Sequence, residues 1–200
     1  MYTMPAVRIK KMSYFPMMID LADKPVLVIG AGEEGTKKVE VLSEFGCDIT
    51  IIALEATEAA VKKAGRFFNK AFEDSDINDS YIMIVSATND RELNRHISEL
   101  ARNHKIPVNI VDDTELCSFI FPAIVKDREV VVSVSSGGKS PYVAQLIKKT
   151  VTENMPKDIG LINDKMGEYR QTAKRDIEDV SERRKYLKEK LDELLEQKNS

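Results

Sequence analysis

The chain has no tryptophan, two cysteines and two histidines among its 200 residues, and each scarcity removes a class of protein. Cys47 and Cys117 are too few for a disulfide framework and lack C-x-x-C spacing, so both read as reduced core thiols of a cytoplasmic protein. His96 and His104 form no H-x-x-x-H pair and have no cysteine cluster beside them, so no metal site is expected; both read as surface or structurally satisfied side chains. No apolar run reaches the roughly 18 to 20 residues that a membrane span requires, and the N-terminus has no signal-peptide apolar region. Excess positive charge is also missing. Thirty basic residues against 33 acidic ones give a net charge of −3, which excludes a general affinity for nucleic acid or an anionic membrane. A polyanionic ligand must therefore find local cations. With 42% hydrophobic and 32% charged residues the chain is globular, long enough for one nucleotide-binding domain and something smaller.

What is present begins at residues 26–35, VLVIGAGEEG, an apolar run that breaks into a complete G-x-G-x-x-G turn. Gly30 permits the tight turn, Gly32 admits a pyrophosphate to the backbone, and Gly35 lets the next helix pack close to the strand. Ala31, Glu33 and Glu34 complete the loop, whose backbone N–H groups and helix dipole face the phosphates. The motif follows a buried-type strand and opens a helix-patterned stretch, the context that a dinucleotide site demands.

Strands are expected at 26–29, 49–53, 66–68, 81–87 and 107–111, with helices from 35 to 45, 57 to 64 and 90 to 103 between them. Val39 and Leu42 mark the inner face of the first helix, and Lys37, Lys38 and Glu40 are expected outside. Strands alternating with helices imply an α/β fold, a doubly wound parallel sheet of Rossmann type. After Asp112 the pattern changes. Two strands, 119–125 and 130–134, flank a charged turn too short to hold a crossover helix, so they pair as an antiparallel hairpin. A hairpin alone is marginal and needs cover, from the nucleotide domain or a second subunit. From Pro141 onward the sequence is helical and charged, and Ile177, Val180, Leu187, Leu191 and Leu194 keep an amphipathic spacing that Arg184 interrupts.

Four places carry candidate chemistry. Asp112 and Asp113 end a strand at the edge where open α/β sheets bind ligands; like charge or burial can make one a proton acceptor, or both can be solvated turn residues. Thr88 and Asn89 end another strand at the same edge and can line a cofactor, while Asn-Asp there can also cap the next helix. Glu55, about twenty residues past Gly35, is placed to bond the adenosine ribose. It lies just after its expected strand, and with no arginine near it NAD is favoured over NADP. Ser136, Gly137, Gly138 and Lys139 form a small-residue turn that can present N–H groups and a cation to an anion, or simply cap the helix that Ser140 and Pro141 begin.

Six segments in order, YFPMMID at 14–20, VIGAGEEG at 28–35, SATND at 86–90, NIVDD at 109–113, SFIFPA at 118–123 and VSVSSGGKSP at 132–141, resemble the precorrin-2 dehydrogenase family, also known as the siroheme synthase N-terminal family. The resemblance spans nearly the whole chain. It implies an NAD-dependent oxidoreductase that converts precorrin-2 to sirohydrochlorin in siroheme biosynthesis. It also implies a homodimer built from a Rossmann domain (1–113), a dimerisation region (114–145) and a C-terminal helical domain (146–200). The family's central aspartate falls on Asp112 and the serine of its Ser-Ser-Gly-Gly turn on Ser136. Some members also insert iron or cobalt. With no histidine in the ligand-edge loops, dehydrogenation alone is favoured over a bifunctional dehydrogenase and ferrochelatase. A non-catalytic NAD-sensing module is the rival of another class, but it has no need of the 109–113 and 132–141 segments.

Overall fold

Strands that are apolar at every position require cover on both faces, and the alternation of their side chains decides which helix covers which. In the computed structural model, which describes residues 14–196, this rule organises the first of two compact units, divided between Phe121 and Pro122. Its strands are β1 (Pro25–Ala31), β2 (Asp48–Ala56), β3 (Arg66–Asn69), β4 (Met83–Ser86) and β5 (Val108–Ile110), interleaved with helices α1 (Glu33–Ser43), α2 (Glu58–Lys63) and α3 (Arg91–Asn103). All pairings are parallel, in the order β3-β2-β1-β4-β5. Val26, Val28, Ile49, Ile51 and Val85 pack with Val39 and Leu42 of α1 and Ala60 of α2. Leu27, Ile29, Ile52, Ile84 and Val108 point the other way, onto Ile97 and Ala101 of α3. The expected doubly wound sheet is present, with helices on both faces.

Several strand boundaries differ from the sequence reading. β2 runs to Ala56, so Glu55 lies within the strand, not after it. The cause is a register break in which Ala31 pairs with Ala56 and the Thr57 N–H donates to the Ala31 carbonyl at 3.1 Å. β4 covers only Met83–Ser86 of the expected 81–87, although the Ala87 N–H still donates to the Ile29 carbonyl at 2.8 Å. Phe119 and Phe121, expected in the hairpin, stand outside it. Their rings, 5.5 Å apart, pack on the α1 side of the first unit's core, and Asn109 Nδ2 donates to the Phe119 carbonyl at 3.1 Å.

The second unit contains the antiparallel hairpin β6 (Ala123–Asp127) and β7 (Val130–Val134), then α4 (Pro141–Asn154), α5 (Ile159–Asp176) and α6 (Val180–Glu196). The hairpin turn is tied to α5 at two points. Asp127 Oδ2 accepts from the Gly160 N–H at 2.8 Å, and Arg128 donates to Asp164 at 2.9 Å. α5 and α6 pack together, with the Tyr169 and Tyr186 rings edge-on at 6.3 Å. Ile177 ends α5 in extended backbone, so it is not on the helix that carries Leu187, Leu191 and Leu194. Among the described residues no helix is long and apolar enough to cross a membrane.

Candidate functional site

β1 and β4 are neighbours in the sheet, yet the helices that follow them lie on opposite faces, so a crevice opens beyond their C-terminal ends. The glycine turn forms its floor. Gly30 adopts φ +83°, and a Cβ there would stand 2.7 Å from the Ala87 carbonyl oxygen. A Cβ on Gly35 would fall directly on the Gly30 carbonyl. Gly32 is different: a Cβ there would meet nothing within 4 Å. Two glycines thus serve the protein's own packing, while the third leaves open space beside the backbone. Gly32 is also the N-cap of α1 and has no side chain to bond the first-turn N–H groups. An open cradle beside an uncapped helix start fits a dinucleotide pyrophosphate. The Glu33 and Glu34 carboxylates turn instead to Lys37, at 3.3 and 2.7 Å.

The same sheet edge collects the ends of the other strands. Glu55 is exposed at the end of β2. After β4, Thr88 is held by Asn94, a residue the sequence reading missed. Asn94 Oδ1 accepts from Ser86 Oγ at 2.7 Å and Thr88 Oγ1 at 2.9 Å, and its Nδ2 donates to the Thr88 carbonyl at 2.9 Å. Its signal was available: Asn94 sits three and seven residues before Ile97 and Ala101, on the helix face that turns to the core. Asp90 is a plain N-cap, accepting from the Glu92 and Leu93 N–H groups at 3.0 Å each. Asn89 is left exposed at the loop's tip.

Beyond β5, Asp112 is exposed and adopts φ +62°, a left-handed conformation that aspartate tolerates better than most side chains. Asn89, Arg91, Asn94, Val111, Asp112 and Asp113 line one open cavity of about 300 Å³. Sequence-expected residues from two loops therefore share a cavity. Asp113 turns aside, accepting from the Glu115 N–H at 3.2 Å and facing Arg91 Nε at 3.8 Å. Under this loop Cys117 Sγ lies 3.2 Å from the carbonyl oxygens of both Ile110 and Asp113, and burial pushes its thiol pKa up.

Lys38 corrects another expectation. It is half-buried, not outward, with Nζ 4.7 Å from the centre of the Phe121 ring. The local helix pattern could not show this, because Phe121 arrives from a distant part of the chain. Burial pushes the Lys38 ammonium below the ordinary lysine range, while the Glu34 and Asp112 carboxylates, and the Cys117 thiol once ionised, pull it back up.

His96 and His104 pair with Asp74 and Asp79, each at 2.7 Å. Among the described residues no group of three or more His, Cys, Asp or Glu side chains is gathered for a metal ion. The 136–139 turn belongs to the second unit. Gly137 and Gly138 have φ of +68° and +76°. Ser135 Oγ accepts from the Gly137 N–H at 3.0 Å and Ser136 Oγ from the Ser140 N–H at 3.1 Å, so part of the turn's donor set is already used. Ser140 caps α4 at Val143, and Lys139 is exposed.

Comparison with known proteins places this geometry. Residues 17–123 match the family described as "Putative NAD(P)-binding". The siroheme synthase of Ruthia magnifica subsp. Calyptogena magnifica is 35% identical over 191 residues, covering 94% of this chain and 40% of that protein. Siroheme synthase 1 of Pectobacterium atrosepticum is 34% identical over 179 residues, covering 88% and 37% respectively. The chain thus spans about two fifths of the length of the curated relatives it matches. Among solved structures, SirC, a precorrin-2 dehydrogenase, superposes with a TM-score of 0.68 over 93% of this chain and 99% of that one, at 22% identity. That likeness is one of fold.

Proposed function

Because the chain belongs to the precorrin-2 dehydrogenase/siroheme synthase N-terminal family, we propose that it oxidises precorrin-2 to sirohydrochlorin with NAD⁺ as hydride acceptor. The observation that carries this reading is the placement of Asp112 at the same sheet edge as the open Gly32 cradle, in a cavity shared with Asn89. The backbone of residues 30–35 holds the pyrophosphate, Glu55 bonds the adenosine ribose, and the 87–89 loop lines the nicotinamide end. When bound, the dinucleotide supplies the acceptor for a hydride. Removing two hydrogens from a reduced tetrapyrrole also releases a proton, and the Asp112 carboxylate accepts it. An exposed carboxylate at Glu55 favours NAD over NADP, since a 2′-phosphate there meets a like charge. Ser136, Gly137, Gly138 and Lys139 bind carboxylates of the substrate. The two free thiols fit a reducing cytoplasm.

A homodimer completes the proposal. Tyr142, Val143, Leu146 and Ile147 form an exposed apolar stripe on α4, at 86, 47, 65 and 43% exposure, of the kind a second copy covers. The deciding experiment incubates the protein with precorrin-2 and NAD⁺ and follows NADH absorbance. Asp112→Ala is expected to abolish NADH formation while the Kd for NAD⁺ stays within about twofold. No NADH from the parent protein overturns the proposed activity. Loss of NAD⁺ binding in a folded Asp112→Ala variant overturns the proton-acceptor role.

A further inference from the structure

A lysine ammonium carries three donors and is strongly hydrated, so a half-buried one normally finds an acceptor. Among the described residues no ion pair or hydrogen bond engages the Lys38 ammonium, whereas its neighbour Lys37 is bound by two glutamates. Lys38 Nζ instead rests 4.7 Å from the Phe121 ring centre, and Phe121 is itself braced by Phe119. The aromatic face supplies attraction without satisfying the donors. It also fixes where the ammonium stands: on the α1 side of the sheet edge, within electrostatic reach of Asp112. The chain's net charge is −3, so a polyanion approaching this edge needs fixed local cations.

We infer that Lys38 is a substrate-binding residue, its ammonium held on Phe121 to receive a carboxylate of the tetrapyrrole next to Asp112. This deepens the proposed function and rests on its assignment of a polycarboxylate substrate. Binding a carboxylate satisfies the donors that the fold leaves open. It also anchors the ring beside the proton acceptor, where a small displacement costs rate. Neighbouring charges fit the role. Among the described residues Lys37 is bound by Glu33 and Glu34 and Arg91 faces Asp113, whereas Lys38 is in no ion pair and feels the Glu34 and Asp112 carboxylates only at longer range.

The test measures equilibrium binding of sirohydrochlorin, the product octacarboxylate, by dialysis, alongside NAD⁺ binding and precorrin-2 turnover. Lys38→Met keeps the stem over Phe121 and removes the charge. It is expected to weaken sirohydrochlorin binding and raise the KM for precorrin-2 by about tenfold or more, with NAD⁺ affinity unchanged and a shallower salt dependence of binding. Lys38→Arg restores most of the affinity. Lys62→Gln, an exposed lysine paired with Glu58 on α2, controls for overall charge and changes neither. Unchanged sirohydrochlorin affinity in Lys38→Met overturns the inference, as does equal weakening by Lys62→Gln. Weakened NAD⁺ binding with sirohydrochlorin affinity intact assigns Lys38 to the cofactor and also overturns it. Sirohydrochlorin binding that depends on Lys38, in a parent protein that forms no NADH, leaves the inference standing and sinks the dehydrogenase reading alone. A parent protein that binds no sirohydrochlorin overturns the inference, and one that also forms no NADH sinks both readings.

Discussion

At the scale of single residues, the glycine triplet divides into two physical roles that one motif hides. Gly35 is glycine because its Cβ position is occupied by the Gly30 carbonyl, whereas Gly32 borders open space. Gly35→Ala is therefore expected to cost about 2 kcal/mol or more in urea unfolding, as overpacking against backbone does. Gly32→Ala keeps an ordinary backbone, φ −68°, and is expected to leave stability within about 0.5 kcal/mol while weakening NAD⁺ binding at least about tenfold by calorimetry. Equal effects of the two variants on stability would contradict the division. The motif's existence was legible in the sequence, but the split between fold and ligand required knowing what stands opposite each Cα. Lys38 shows the same limit: helical spacing assigns it outward, and only the return of Phe121 covers it.

At the scale of elements, the α3 N-terminus and the end of β4 form one hydrogen-bonded unit. Asn94 is 7% exposed and Ser86 fully buried; one bond joins the two, and two more tie Asn94 to Thr88. Replacing Asn94 by Leu strands the Ser86 hydroxyl and the Thr88 carbonyl. The expected loss is about 1 to 3 kcal/mol of stability, read from the urea midpoint at unchanged slope. A Leu variant as stable as the parent would mean that the three bonds are replaced by water or by each other. The elements themselves were readable from apolar runs and turn residues, as with Ser140 capping α4. Their ends were less so. β2 extends to Ala56 because the Ala31 carbonyl offers it a partner, and the first hairpin strand is shortened because Phe119 and Phe121 bury their rings elsewhere. Both outcomes are decided by contacts distant in sequence.

At the scale of the whole molecule, the exposed stripe on α4 is the feature a monomer leaves unexplained. If a second copy covers it, Leu146→Glu combined with Ile147→Glu places charges in that interface, and sedimentation velocity is expected to show the parent as a dimer and the variant as a monomer. A parent protein that sediments as a monomer refutes the dimer. The amphipathic spacing read across 177–194 spans two helices, since the chain leaves helical geometry at Ile177. Periodicity alone does not mark that break, because a helix end needs only one residue to depart from the pattern.

By itself the sequence determined the alternation of strands and helices, the dinucleotide turn and the family, since apolar periodicity, glycine and capping residues act on their immediate neighbours. Tertiary structure alone decided which residues meet: Asn94 with Ser86 and Thr88, Lys38 with Phe121, Asp112 with Asn89 across one cavity. Those meetings depend on the order in which parallel strands line up, and strand order is a property of the folded sheet that no local window of residues encodes.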